Sequence, residues 1–163
     1  MTLEDFESAV QFCSHNQIDV RSFVLLHPPG VDRVDSVDWT WRTIDYAFEV
    51  GTRHVSVIPV RSGNGWVDQQ SSLGRYSIPD QTMITEFFAA LNSNLTNRLR
   101  SRLGTPGEGV LLFDLWDWEK IPGGTEDERT QLLQRVQNYN TSQLFGFCNT
   151  QQNEQSLDDG WKP

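Results

Sequence analysis

Cysteine is scarce in this sequence: 163 residues contain only two, Cys13 and Cys148, near opposite ends of the chain. Their separation fits neither the grouped ligands of a zinc ribbon nor the regular spacing of a disulfide framework. Short chemical motifs are missing as well, because no P-loop, dinucleotide fingerprint, nucleophile elbow or zinc-protease helix occurs. These absences exclude the protein classes that such motifs identify.

Long apolar runs and positive charge are also in short supply. No apolar run approaches the roughly 20 residues that cross a bilayer, and the segment after Met1 lacks the order of a signal peptide. The 13 Lys and Arg residues stand against 22 Asp and Glu, which gives a net charge of −9. Phosphate backbones and anionic membranes repel such a chain. We expect a cytoplasmic protein that binds neither nucleic acid nor membranes.

Apolar residues at helical spacing predict four helices. A capping residue stands before each one: Thr2, Asp35 or Ser36, Asp80, and Thr125. We expect the third helix to be the longest and to carry its apolar face as far as Leu99. The polar, glycine-dotted residues 62–79 predict a loop.

Three short and nearly continuous apolar runs predict strands at residues 19–26, 55–60 and 110–113. Strands that alternate with helices are typical of a parallel sheet with crossover helices. Three strands make a narrow sheet, and its exposed edges invite another chain. We therefore predict an α/β fold of about three parallel strands and four helices in residues 1–148. Residues 149–163 are predicted to be a loose polar tail, since they contain few apolar groups.

The segment at residues 55–65, Val-Ser-Val-Ile-Pro-Val-Arg-Ser-Gly-Asn-Gly, carries the main site prediction. A strand runs there into a glycine-rich loop beside one cation, Arg61. A guanidinium next to Gly63, Asn64 and Gly65 has the chemistry to bind a carboxylate or phosphate, because glycines let backbone amides approach a ligand. The alternative is a surface loop whose arginine pairs with a nearby acid.

Two further groups follow strand ends. His27 comes directly after the first strand, where it would act as an acid, base or ligand, although a lone histidine is more often structural. Asp114 and Asp117 follow the third strand, where paired carboxylates would hold a metal or share a proton. Trp116 and Trp118 lie among them, and we favour a structural role in anchoring the strand end.

Four segments in order resemble the carboxyl-terminal half of a radical SAM enzyme, in the subgroup that shares a domain with the elongator catalytic subunit and the methylthiotransferases. They are Met-Thr-Leu-Glu-Asp-Phe (1–6), Val-Arg-Ser-Phe-Val-Leu-Leu (20–26), Ile-Pro-Val-Arg-Ser-Gly-Asn-Gly (58–65) and Phe-Asp-Leu-Trp-Asp (113–117). The third is the most specific. The resemblance covers roughly residues 1–145 and implies a fragment of a partial (β/α) barrel.

The resemblance implies chemistry that this chain lacks the residues to perform alone. Radical SAM enzymes cleave S-adenosylmethionine reductively with a 4Fe-4S cluster, which three grouped cysteines hold. That loop is absent, and Cys13 and Cys148 do not replace it. The glycine-rich segment that holds the methionine part of the cofactor belongs to the missing upstream half.

The resemblance also assigns the candidate cofactor-binding residues. Residues 24–27 would be the fifth barrel strand, on the adenine side of S-adenosylmethionine, and residues 57–61 the sixth. The contacts would come from His27, Arg61, Gly63, Asn64 and Gly65.

The leading hypothesis is thus a radical SAM-like fragment that is inactive alone and works with a cluster-bearing amino-terminal half or a second copy. The alternatives are a stand-alone binding or interaction module that completes its sheet with a partner chain, and an inert product of a split gene.

Overall fold

The computed structural model describes residues 2–63, 65–91 and 109–158, with side chains as far as residue 142. This part of the chain contains five α-helices and one parallel sheet of three strands in the order β1-β2-β3. In chain order the elements are α1 (Leu3–His15), β1 (Arg21–Leu26), α2 (Ser36–Val50), β2 (His54–Pro59), α3 (Gly65–Ser72), α4 (Gln81–Ala90), β3 (Val110–Phe113) and α5 (Glu126–Asp158). The α/β class and the parallel sheet are confirmed.

The ends of the helices follow from local capping chemistry. Thr2 and Thr125 each form a reciprocal capping box with the residue three positions on. The Asp80 carboxylate accepts the Met83 N–H at 2.9 Å and so begins α4. Gly51 ends α2 in the left-handed region, at φ 113°, where a side chain is disfavoured. The predicted caps at Thr2, Asp80 and Thr125 are confirmed, whereas Asp35 before α2 makes no side-chain capping bond.

Two helices differ from the prediction. Residues 62–79 were expected to be a loop, but α3 lies within them; Val67 is its one buried residue, so the sequence carries no apolar stripe there. The longest described helix is α5, with 33 residues, rather than the helix after Asp80. The stretch through Leu99 that we assigned to that helix lies outside the described residues. Because α5 extends to Asp158, it enters the range assigned to a polar tail, and the boundary at residue 148 stays a prediction.

One face of the sheet forms the core. Its buried side chains come from alternate positions of the three strands: Val24, Leu26, Val55, Val57, Leu111 and Phe113. Helices α2, α4 and α5 pack on this face, and aromatic rings fill the space between them. Phe87 stacks on Trp41 at 4.5 Å between ring centroids and lies 5.5 Å from Phe113. No described helix is both long and apolar enough to cross a membrane.

The opposite face of the sheet is open along β1 but not across its whole width, because Ser56 of β2 and Val110 of β3 are each only 2% exposed. The remaining strand positions project there, and Phe23 and Leu25 of β1 are 63% and 44% exposed. Arg21 crosses to β2, where its Nε and Nη2 both donate to Ser56 Oγ at 3.0 and 2.7 Å. A shallow cavity of about 350 Å³ lies between these residues and Ile58.

We expect Gly109→Ala to destabilise the fold more than Gly30→Ala. Both glycines have positive φ, 136° and 96°, so each substitution costs about 1–2 kcal/mol of backbone strain. At Gly109 an added Cβ would also lie 2.6 Å from the Phe48 ring, whereas nothing lies within 4 Å at Gly30. Overpacking adds about 1–3 kcal/mol. Urea unfolding of both variants measures the difference. Equal losses of folding free energy would contradict the expected clash of the added Cβ with Phe48 before β3.

Candidate functional site

The parallel strands place three residues with ionisable side chains along the edge of the sheet that is formed by the carboxyl ends of its strands. His27 directly follows β1, Arg61 is the second residue after β2, and Asp114 directly follows β3. Ligands of parallel α/β sheets bind at the carboxyl ends of the strands, so this edge is the candidate functional site.

Arg61 and Asp114 form an ion pair at the centre of this edge. Arg61 Nη2 lies 2.7 Å from Asp114 Oδ2, and the two side chains are 18% and 33% exposed. The second carboxylate oxygen of Asp114 accepts the Trp116 N–H at 3.3 Å. Arg61 Nε is buried without a hydrogen-bond partner. The guanidinium charge is therefore already neutralised, and a ligand carboxylate would have to compete with Asp114 for it.

His27 belongs to a separate buried cluster. It is 3% exposed, its Nδ1 forms a very short hydrogen bond with Ser36 Oγ, and its ring stacks on Tyr76 at 4.9 Å. The Tyr76 hydroxyl donates to the His27 carbonyl oxygen at 2.6 Å. Burial, together with the charge of Arg33, lowers the pKa of His27 below its ordinary value. Serine and histidine in contact are the parts of a nucleophile and its base, but burial closes both to substrate, so this pair is structural.

The glycine loop is arranged by a helix that the sequence did not reveal. Gly63 has φ 96°, and its N–H donates to both carboxylate oxygens of Asp68 in α3, at 3.1 Å each. Gly65 opens α3, and there is empty space around both glycines where a Cβ would stand. Asn64 lies outside the described residues. The Gly63 amide is therefore already bound by Asp68, and the loop has room beside both glycines for a ligand to approach.

A cavity of about 660 Å³ lies beside the edge. It is lined in part by Arg33, Ser62, Asp68, Ser71, Tyr76 and Asp80. Arg33 Nη2 donates to both oxygens of Asp80 at 2.8 Å. Burial raises the pKa of Asp80, but the Arg33 contact and the N–H of Met83 outweigh it, so the pKa lies below its ordinary value.

Several residues of this site were missed at the sequence level. Tyr76, Asp68 and Arg33 reach it from segments that read as loops, and their partners lie on other elements. Only the capping role of Asp80 carried a signal in the sequence.

The acids and tryptophans after β3 divide into separate roles. Asp114 pairs with Arg61, while Asp117, in the left-handed region, pairs with Lys120 at 3.0 Å. Each carboxylate has its own cation, so the shared metal or proton that we considered for the two acids gains no support. Trp118 is buried in the core, in agreement with a structural role, whereas Trp116 is 72% exposed.

The chain does not fit a 4Fe-4S cluster. Such a cluster in the radical SAM family needs three grouped cysteines, and the sequence has two. Cys13 is half-buried on α1, and the side chain of Cys148 lies outside the described part. Among the described residues, no group of three or more His, Cys, Asp or Glu side chains is arranged to hold a metal ion.

Comparison with known proteins identifies no relative. No family model matches the chain, and neither a curated protein nor a solved structure is similar to it.

We expect Asp114→Ala to cost about 1–3 kcal/mol of folding free energy, because it leaves the largely buried Arg61 without its acceptor. The matched control is Asp19→Ala, which removes the exposed pair with Arg53. That change should stay within about 0.5 kcal/mol. Urea unfolding provides both values. Equal effects would mean that the Arg61–Asp114 pair contributes no more than an ordinary surface pair.

Stability should also fall as the pH drops below roughly 6.5, the unperturbed pKa of histidine. The folded chain binds a proton at His27 less readily than the unfolded chain, so acidification favours unfolding. One such group contributes up to about 1.4 kcal/mol per pH unit. Urea unfolding between pH 7.5 and 5.5 should show a shallower slope in His27→Gln than in the parent chain. The same substitution at the exposed His15 should keep the parent slope; if it flattens the slope equally, His27 is not the source.

Proposed function

We propose that this chain is the carboxyl-terminal half of a radical SAM-like barrel, which contributes to S-adenosylmethionine chemistry only together with the cluster-bearing amino-terminal half of such a barrel. The proposal combines the sequence resemblance with the one-sided architecture of the sheet.

The single observation that carries the proposal is that the two faces of the sheet are covered unequally. Parallel sheets are normally buried on both faces. In (β/α) barrels the helices cover the outer face, and the inner face meets side chains from the other strands. Here α2, α4 and α5 pack on one face, while Phe23 and Leu25 on the other remain 63% and 44% exposed. An apolar edge strand that is left exposed on the inner face is what a barrel fragment would have before the next strand is added, although Ser56 and Val110 on the same face are buried.

The carboxyl edge supports a flanking rather than a catalytic role. His27 Nδ1 contacts Ser36 and Arg61 Nη2 contacts Asp114, so these two atoms stabilise the edge itself. What the edge offers a ligand is the space beside Gly63 and Gly65 and the exposed ring of Trp116. An aromatic face suits an adenine, which stacks on it. No reaction step is assigned to this chain, because the cluster does not fit it.

We expect adenosine to shift the backbone amide resonances of Gly63 and Gly65 in a ¹⁵N-labelled sample of the full chain, and methionine to leave them unchanged. The reason is that the resemblance assigns the adenine side to this half and the methionine side to the missing half. S-adenosylmethionine should produce the adenosine pattern. A methionine response without an adenosine response, or no response to either, would contradict the proposal.

A reconstitution experiment tests whether the chain is inactive when it is by itself. The chain is incubated anaerobically with iron and sulfide, then reduced in the presence of S-adenosylmethionine. We expect no release of 5′-deoxyadenosine, and iron binding no greater than in a variant with Cys13→Ser and Cys148→Ser. A bound 4Fe-4S cluster with 5′-deoxyadenosine release would overturn the assignment of the cluster to the amino-terminal half.

The second candidate function is a stand-alone interaction module that completes its sheet with another chain and has no part in cofactor chemistry. The exposed apolar residues of β1 favour it as well. The two candidates differ in the adenosine titration, because the interaction module predicts no response at Gly63 or Gly65.

A further inference from the structure

Within the described residues, no strand pairs with the outer edge of β1. On the β2 side, the carbonyl oxygen of Val20 accepts the N–H of His54, and the carbonyl oxygen of Leu26 accepts the N–H of Val60. Successive residues of a strand direct their backbone groups to opposite sides, so the even-numbered positions of β1 bond to β2. Arg21, Phe23 and Leu25 therefore direct their N–H and C=O groups away from the sheet.

The outer edge of β3 is closed at its carboxyl end. Val110 and Asp114 donate to the β2 side, so the backbone groups of Phe113 point outward. The side-chain amide of Asn140 on α5 takes both of them: its Oδ1 accepts the Phe113 N–H at 2.9 Å, and its Nδ2 donates to the Phe113 carbonyl at 2.8 Å. One amide thus occupies the position that a neighbouring strand would take.

We propose that the outer edge of β1 binds an extended segment of a separate polypeptide, parallel to β1, with a carboxylate beside Arg21 and apolar side chains beside Phe23 and Leu25. This inference rests on the proposed function, since it names the edge where the remaining barrel strands join. Addition of a strand to an open edge is a general mode of peptide recognition, in which main-chain hydrogen bonds provide affinity and alternate side chains provide specificity.

The side chains of β1 define the chemistry of this segment. Arg21 is exposed, and its guanidinium lies 5.2 Å from the ring of Phe23, so the strand presents a cation and an apolar surface together. Opposite charges across neighbouring strands attract, and apolar pairs exclude water. An acidic residue followed by apolar residues at every second position is therefore the complementary pattern.

The order of side chains along β1 argues against a second copy of this chain as the strand that binds to its outer edge. Two copies related by a two-fold axis would pair β1 antiparallel to itself. With Phe23 at the axis, Arg21 would lie opposite Leu25, which has no acceptor for a guanidinium. Each copy also carries a net charge of −9, which opposes association.

Two synthetic peptides test the proposal: acetyl-Thr-Glu-Thr-Val-Thr-Val-Thr-amide and the same peptide with Lys in place of Glu. Titration into the ¹⁵N-labelled full chain, up to millimolar concentration, should shift the amide resonances of Phe23 and Leu25. We expect the Glu peptide to bind roughly two- to five-fold more tightly than the Lys peptide, the range of one cross-strand charge pair. The reversed sequence, Thr-Val-Thr-Val-Thr-Glu-Thr, should bind more weakly if the added strand is parallel.

Charge reversal provides the matched variants. Arg21→Glu should invert the preference toward the Lys peptide, whereas Arg42→Glu, at a largely exposed position on α2, should leave it unchanged. Circular dichroism checks that each variant is folded. If Arg21→Glu does not fold, Phe23→Lys is the second variant, and it should weaken both peptides, since Phe23 is 63% exposed and its loss spares the core.

Three results would overturn the proposal: no shift at Phe23 and Leu25 with either peptide, shifts centred on Leu111 at the β3 edge, or self-association of the chain that Phe23→Lys abolishes. Failure here is distinguishable from failure of the proposed function, because the adenosine titration reads different amides. Peptide shifts at β1 without adenosine shifts at Gly63 would leave the edge assignment intact and remove the cofactor role.

Discussion

The packing of aromatic rings against one face of a parallel sheet is the interaction on which the rest of this structure depends. Phe87 and Phe88 of α4 lie between Trp41 of α2 and Phe113 of β3, and ring centroids in this group are 4.5–5.5 Å apart. Each such pair contributes about 0.5–1.5 kcal/mol beyond the burial of its area. Because this cluster joins two helices to the sheet, it fixes which face is core and which is open, and so determines where the strand ends and edges are presented.

Sequence reasoning succeeded where one residue type has one dominant local role. Thr2 and Asp80 are such residues, since a cap needs only its own neighbours along the chain. It failed at α3, where a short polar helix carries no periodic apolar signal. The residues of the candidate site also differ in how well the sequence predicts them. The position of Arg61 after a strand was predictable, but its partner Asp114 lies 53 residues away, and only the parallel register brings the two together.

Most charged side chains of the candidate site already have partners within the protein. Arg61 is held by Asp114, Arg33 by Asp80, and His27 is enclosed by Ser36 and Tyr76. Ionic and hydrogen-bonding groups that contact one another stabilise the edge of the sheet, and they leave the space beside the glycine loop and one exposed tryptophan for recognition.

The amide of Asn140 has a consequence for how large an assembly can grow. A sheet with two open edges can add chains at both ends without limit, which is the route to fibres. With the carboxyl end of one edge occupied by a side chain of its own helix, strand addition is favoured at the other edge. An assembly built this way terminates after one joint, so a single asparagine favours a closed pair over an open polymer.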